Sequence, residues 1–237
     1  MERVKEIFVI NLKRRPDRLQ EFKQRYPLTQ PFTLIEAVDG NNLPYDKPPL
    51  STLSKSGQIN PFALGCTLSH YEVWKRVVEN TEYKDEDVFI TFEDDVFFVQ
   101  DFENKFIQCL QPNITFDMLT IGGRFRPNFV PHPNSLQILW DRITENVFQY
   151  KSKDHQDGPN QDRTTHSLVW TKKFAKDFLK YLDEHLIETA VDKLLTKFWK
   201  ENNTLLLEHF PHLCFSPPNY KTDIQQKRGI KIEPIKN

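Results

Sequence analysis

Three shortages bound the reading of this 237-residue chain. Cysteine is scarce: only Cys66, Cys109 and Cys214 occur. They are odd in number, widely separated and set among apolar neighbours, which argues against a disulfide framework or a cysteine metal motif and for buried free thiols. Long apolar runs are missing, so nothing approaches the roughly 20 residues of a membrane-spanning helix. Residues 1–6 (MERVKE) also hold no secretory apolar segment. Charge of one sign is not in excess either, with 32 basic residues against 33 acidic ones. That balance gives no electrostatic case for nucleic acid or an anionic membrane as partner. No repeat and no linker divides the chain, and one α/β domain in a reducing, cytoplasmic compartment is the expectation. Aromatic bulk is what it does have. Nineteen Phe can furnish a core although only 38% of residues are apolar.

The chain is organised around residues 88–98, VFITFEDDVFF. A β-branched and aromatic run with no helical period reads as a strand buried on both faces. It ends in Glu93, Asp94 and Asp95. Three carboxylates there repel one another and cost desolvation unless a cation neutralises them. Ligands of open α/β sheets sit beyond the carboxyl ends of strands. A divalent ion that clamps a diphosphate fits such an oxygen-rich cluster. A solvated acidic turn is the plainer alternative.

Before this stretch, residues 5–12 (KEIFVINL) read as a strand, followed by Lys13, Arg14 and Arg15. Pro16 and Asp17 suit the first turn of a helix with Leu19, Phe22 and Tyr26 on one stripe, stopped by Pro27. Arg15 and Arg18 can pair with phosphates at that helix start, or form a solvated basic turn. Residues 32–38 form the next expected strand, and Asp39 in the turn behind it can reach a ribose hydroxyl or do ordinary turn work. A proline-rich loop covers 43–61. A helix over 64–79 carries Ser69 and His70 near its start.

Beyond the acids, a helix is expected at 101–110 and a strand at 116–121, ending in Gly122-Gly123-Arg124 where backbone can approach a ligand. Further strands are expected at 136–140 and 146–150. Residues 151–165 are polar and read as a lid-like loop. A strand at 166–170 follows, then helices at 172–182 and 188–199, with Asp192 inside the second. Strands at 203–207 and 213–215 precede a basic tail.

Taken in order, these stretches resemble glycosyltransferase family 25, which includes lipooligosaccharide and collagen hydroxylysine galactosyltransferases. The residues that carry the resemblance are Val9-Ile10-Asn11-Leu12 through Arg15-Pro16-Asp17-Arg18-Leu19, then Ala37-Val38-Asp39-Gly40, Gly65-Cys66, and Leu68-Ser69-His70 with Trp74. Phe92-Glu93-Asp94-Asp95-Val96, Phe174-Ala175, Val191-Asp192 and Thr222-Asp223-Ile224 complete it. It runs over residues 7–225 and departs at Ser167-Leu168-Val169, where a tyrosine is usual, and at Thr222, where serine is.

The resemblance implies one GT-A type, Rossmann-like domain over 1–225 with a mixed, mostly parallel central sheet, and a basic tail over 226–237. It implies a UDP-sugar donor, galactose the preferred sugar, with Glu93-Asp94-Asp95 in the part of the family's DxD-like metal motif. Asp95, with Asp94, would hold manganese(II), or magnesium in its place, against the charge that grows on the departing UDP. Asn11, Arg15, Arg18, Asp39, Ser69, His70 and Glu93 would lie on the donor side. Asp192 is the first choice for the base that inversion requires, or for an acceptor or sugar contact, and His209, His212 or Asp223 for a further metal ligand. The acceptor would be a glycan end or a collagen-like hydroxylysine. A silent sugar-nucleotide-binding module and a metal-dependent nucleotide-diphosphate hydrolase are the competing readings, and a bacterial or large-virus source is the expected setting.

Overall fold

The computed structural model describes residues 1–43, 59–124, 140–150, 164–185, 187 and 189–217. Outside them lie most of the expected proline-rich loop, the expected strand at 136–140 apart from Trp140, most of the expected lid, and the tail with Thr222 and Asp223. In chain order the elements are β1 (Val4–Asn11), α1 (Pro16–Arg25), β2 (Thr33–Glu36), α2 (Pro61–Glu79), β3 (Val88–Glu93), β4 (Phe97–Phe98) and α3 (Phe102–Cys109). Then follow β5 (Met118–Thr120), β6 (Gly122–Arg124), β7 (Trp140–Arg142), β8 (Val147–Tyr150), β9 (Ser167–Thr171), α4 (Lys172–Glu184), α5 (Val191–Glu201), β10 (Leu206–His209) and β11 (Cys214–Ser216).

Eight strands form one sheet in the order β2-β1-β3-β9-β5-β10-β8-β7, and β4-β11-β6 form a second, smaller one. The large sheet is mixed, as expected. Its parallel share is smaller than expected, because β9 runs antiparallel between β3 and β5, and β8 antiparallel to both β10 and β7. The remaining pairs, β1 with β2, β1 with β3 and β5 with β10, are parallel. It follows that β1, β2, β3, β5 and β10 all point the same way. Their carboxyl ends share one edge of the sheet with the amino end of β9. The small sheet continues from that edge, since β4, β6 and β11 follow directly on β3, β5 and β10.

Side chains alternate between two apolar layers, as successive strand residues must. Phe8, Ile10, Phe89, Leu168 and Trp170 face the layer built with α2, α4 and α5. Ile7, Val9, Val88, Ile90, Phe92 and Val169 face the other, built with α1 and α3. Trp74 of α2 meets Phe178 of α4 edge to face at 5.0 Å, so these two helices are packed through aromatic rings.

The helix boundaries follow local chemistry. Pro16 opens α1 without losing a hydrogen bond, and Asp17 sits at its positive end. Tyr26 before Pro27 turns extended and ends it. Asn60 caps α2 by accepting from the Phe62 amide at 2.9 Å, and Thr171 caps α4 by accepting from the Phe174 amide at 3.2 Å. One expectation about α1 is corrected. Its buried residues are Arg18 and Phe22, four apart on one face, whereas Leu19 is only half-buried. The acid stretch also differs from a continuous strand: β3 stops at Glu93, and Phe97–Phe98 pair in the small sheet with β11.

Candidate active site at the carboxyl end of β3

The turn after β3 is pinned from both sides. The Glu93 amide donates to the His166 carbonyl at 2.9 Å, and the Asp94 amide to the Ile10 carbonyl at 3.2 Å. Arg25 reaches over from the end of α1, donating from Nη2 to the Asp94 carbonyl at 2.5 Å and from Nε to the Val96 carbonyl at 2.7 Å. Its guanidinium also lies 4.2 Å from the centre of the Phe97 ring. Backbone and cation together fix where the three carboxylates point.

Asp94 points toward α1. Its Oδ1 pairs with Arg18 Nη2 at 2.5 Å, and its Oδ2 accepts from Asn11 Nδ2 at 2.6 Å. Asn11 also donates to the Arg15 carbonyl at 3.0 Å, so the end of β1, the start of α1 and the acid turn are tied together by one amide. Asp95 shares Arg18 through Oδ2 at 3.4 Å, while its Oδ1 is buried without a hydrogen-bond partner among the described residues. Burial pushes both aspartates up, and the Glu93 charge adds to the effect on Asp95, which rises to about 7. One arginine thus serves two buried carboxylates.

Glu93 points the other way, toward α2. Its Oε1 accepts from Thr165 Oγ1 at 2.7 Å, lies 3.1 Å from His70 Nε2 and takes the Cys66 thiol at 3.8 Å. Burial alone would raise Glu93, but the hydrogen bonds of His70 and Thr165 outweigh it and hold the group at about 2. Burial and the Glu93 charge push the Cys66 thiol well above its ordinary value.

The other residues expected at the site divide into three sets. Arg15 and Asp39 lie on the rim. Arg15 grips Asp17 through Nε at 3.0 Å and Nη2 at 2.8 Å, and Asp39 pairs with Arg14 at 2.7 Å while accepting from the Asn41 amide. Ser69 is an internal clip: it accepts from the Val38 amide at 2.9 Å and donates to the Gly65 carbonyl at 2.6 Å. Gly65 makes this possible, since a Cβ there would stand 2.5 Å from the Val38 carbonyl oxygen.

Asp192 is half-buried in the first turn of α5 and lines a narrow cleft with Thr120, Thr164, Thr165 and Trp199. Thr165 thus touches both this cleft and Glu93. His209 and His212 lie at and beyond the end of β10 with protein partners of their own, the Pro211 carbonyl at 2.8 Å and Glu208 Oε1 at 3.0 Å. Among the described residues only Cys66, His70 and Glu93 bring three metal-capable donor atoms within 4.8 Å of one another. Neither histidine joins the acids in such a set, and Asp223 lies outside the described residues.

Sequence reasoning missed Thr165, Arg25 and the site role of Cys66. Arg25 was findable, because it follows Arg18 by seven residues and so shares its helix face. Cys66 precedes His70 by four, another readable spacing. Thr165 carries no local signal.

Acidic side chains grouped at the carboxyl edge of a mixed α/β sheet, with arginine and asparagine from the first strand–helix unit around them, define an α/β protein whose candidate site lies where such sheets bind their ligands. Comparison with known proteins narrows this to a family. Residues 4–195 match the family model for glycosyltransferase family 25 (LPS biosynthesis protein), and the chain belongs to that family. Human procollagen galactosyltransferase 2 is 32% identical over 133 residues, which is 50% of this chain and 21% of that protein. A putative glycosyltransferase of Acanthamoeba polyphaga mimivirus is 32% identical over 130 residues, 52% of this chain and 38% of that protein. The human inactive glycosyltransferase 25 family member 3 is 29% identical over 133 residues, 50% of this chain and 22% of that one. The chain therefore spans well under half the length of these relatives. Among solved structures, the inositol-1-phosphate CTP transferase from T. maritima aligns over 94% of both chains, with a TM-score of 0.44 and 13% identity. That likeness is too distant to assign an activity.

Proposed function

We propose that this family 25 chain transfers a hexose, galactose first among the choices, from a UDP-sugar to a glycan or collagen-like hydroxylysine, with inversion and with a divalent cation. The observation that carries the reading is the Asp95 Oδ1, buried and without a hydrogen-bond partner among the described residues, beside a second buried carboxylate. Oxygen donors of this kind suit manganese(II), with magnesium as a substitute. Asp95 would hold the ion, with Asp94 behind it. Bound there, the ion would offset the negative charge that develops on the departing diphosphate.

The chain's own residues have separable tasks. Asn11 and Arg18 orient Asp94 and limit the repulsion between the two aspartates. We assign Arg15 and Asp39, on the rim beside β1 and β2, to phosphate and ribose contact. Asp192 faces a threonine-lined cleft and is the group we assign to accept the proton of the attacking hydroxyl. A third ligand would come from the carboxyl-terminal side, among His209, His212 and Asp223, and either histidine would have to exchange its present partner, the Pro211 carbonyl or Glu208, for the ion.

A silent binding module has one observation in its favour: a relative of similar identity is named inactive. Turnover separates the readings. Protein with manganese and UDP-galactose should release UDP faster when a galactose acceptor is added, and Asp192→Asn should lower that rate by about 10²-fold or more without weakening UDP binding. Release of UDP that no acceptor accelerates would mark a hydrolase. Binding without any release would mark the silent module.

A further inference from the structure

The face of Glu93 that turns from Asp94 toward α2 has a chemistry of its own. Cys66 and His70 are four residues apart on α2, so their side chains lie one above the other on the face that meets the end of β3. Glu93 Oε1 approaches His70 Nε2 to 3.1 Å and Cys66 Sγ to 3.8 Å. All three donor atoms lie within 4.8 Å of one another. His70 is wholly buried, and its Nδ1 has no hydrogen-bond partner among the described residues.

We propose that Cys66, His70 and Glu93 form a second cation site, for a thiophilic divalent ion of the zinc class, distinct from the Asp94–Asp95 pair. Zinc bonds of about 2.0 Å to nitrogen and oxygen and about 2.3 Å to sulfur give tetrahedral edges of about 3.3 and 3.5 Å. The nitrogen–oxygen edge of 3.1 Å and the sulfur–oxygen edge of 3.8 Å each lie within about 0.3 Å of these values. Thr165 Oγ1, 2.7 Å from Glu93 Oε1 and 4.0 Å from Cys66 Sγ, stands where a fourth ligand or the water in its place would enter.

Ligand softness sorts the two sites. A thiolate and an imidazole favour zinc or cobalt, whereas the aspartate pair offers only oxygen and favours manganese or magnesium. On binding, the Cys66 S–H bond breaks as the metal–sulfur bond forms. The proton leaves to solvent, and no oxidation state changes. The ion also removes part of the repulsion that Glu93 exerts on Asp95, and it fastens α2 to the end of β3. None of this depends on which sugar, if any, the protein transfers.

Cobalt(II) is the probe, because thiolate coordination gives it an intense sulfur-to-metal charge-transfer band. The full chain, stripped with chelator, should develop that band and tetrahedral d–d absorption with one equivalent of cobalt. Zinc should erase both, and a large excess of manganese should not. Cys66→Ser should abolish the charge-transfer band, and His70→Gln should weaken cobalt binding by about tenfold or more. The Asp94→Asn/Asp95→Asn variant should keep the band, with far-UV circular dichroism confirming that each variant is folded. A weak octahedral spectrum alone, or a band that survives Cys66→Ser and so comes from Cys109 or Cys214, would overturn the proposal. Loss of the band in the Asp94/Asp95 variant would overturn the separation of the two sites.

Discussion

The ends of β3 and β10 lie on the same edge of the same sheet, and both carry side chains able to hold a metal. Their environments differ. At β10, His209 Nδ1 donates to the Pro211 carbonyl, and His212 lies 3.0 Å from Glu208, so both rings have protein partners. At β3, two buried aspartates share one arginine, and Asp95 Oδ1 has no hydrogen-bond partner among the described residues. Residue type is alike in promise at the two places, but among the described residues only the β3 end holds a buried carboxylate oxygen without a hydrogen-bond partner. That difference, more than the acidic motif itself, is why we assign the proposed cation to the end of β3.

Removing the arginine breaks the contrast most directly. Arg18→Met leaves Asp94 and Asp95 buried without their shared cation, which should cost about 3–5 kcal/mol in chemical denaturation. Adding Asp94→Asn and Asp95→Asn to that variant should recover much of the loss. If Arg18→Met alone is neutral, the aspartates are not held as described.

Acid–base behaviour sharpens the comparison, because the two ends should slope oppositely. Asp95 is raised to about 7 by burial and then by Glu93, so the native state holds its proton more tightly than the unfolded chain does. Its contribution is greatest below about 4 and is lost as pH rises toward 7 in chelator. His209 is lowered to about 4 by burial, so its contribution is full above 6.5 and is lost as pH falls toward 4. That shift corresponds to about 3 kcal/mol across the window. Unfolding free energies measured from pH 4 to 7.5 should therefore lose their acid-side decline in His209→Gln and their neutral-side decline in Asp95→Asn. Added manganese should flatten only the neutral-side decline. Matching slopes in the two variants would show that the ends do not differ as described.

Much of the architecture is legible in the chain because it is written locally. The apolar run into Glu93, the helix of Ser69 and His70, and the phenylalanine stripe of α4 all declare themselves by period and composition. The long-range features do not. Nothing near Arg18 announces that a basic residue will be buried, since its carboxylate partners arrive from another strand. Ser69 reads as a polar residue free for a ligand until the Val38 amide is brought against it. The antiparallel entry of β9 depends on how the chain returns to the sheet, and a buried apolar run looks the same in either direction. For the same reason Glu93, Asp94 and Asp95 read as one cluster, whereas the turn sends Glu93 to α2 and Asp94 to α1.

The measurement that bears most directly on the end of β3 is calorimetric titration of UDP into the full chain with manganese, with excess chelator, and with the Asp94→Ala/Asp95→Ala variant. UDP should bind in manganese, bind at least tenfold more weakly in chelator, and fail to regain affinity from manganese in the folded variant. Equal affinity in all three would contradict the cation role assigned to the aspartates, and no UDP binding by the folded wild-type chain would contradict the donor site itself.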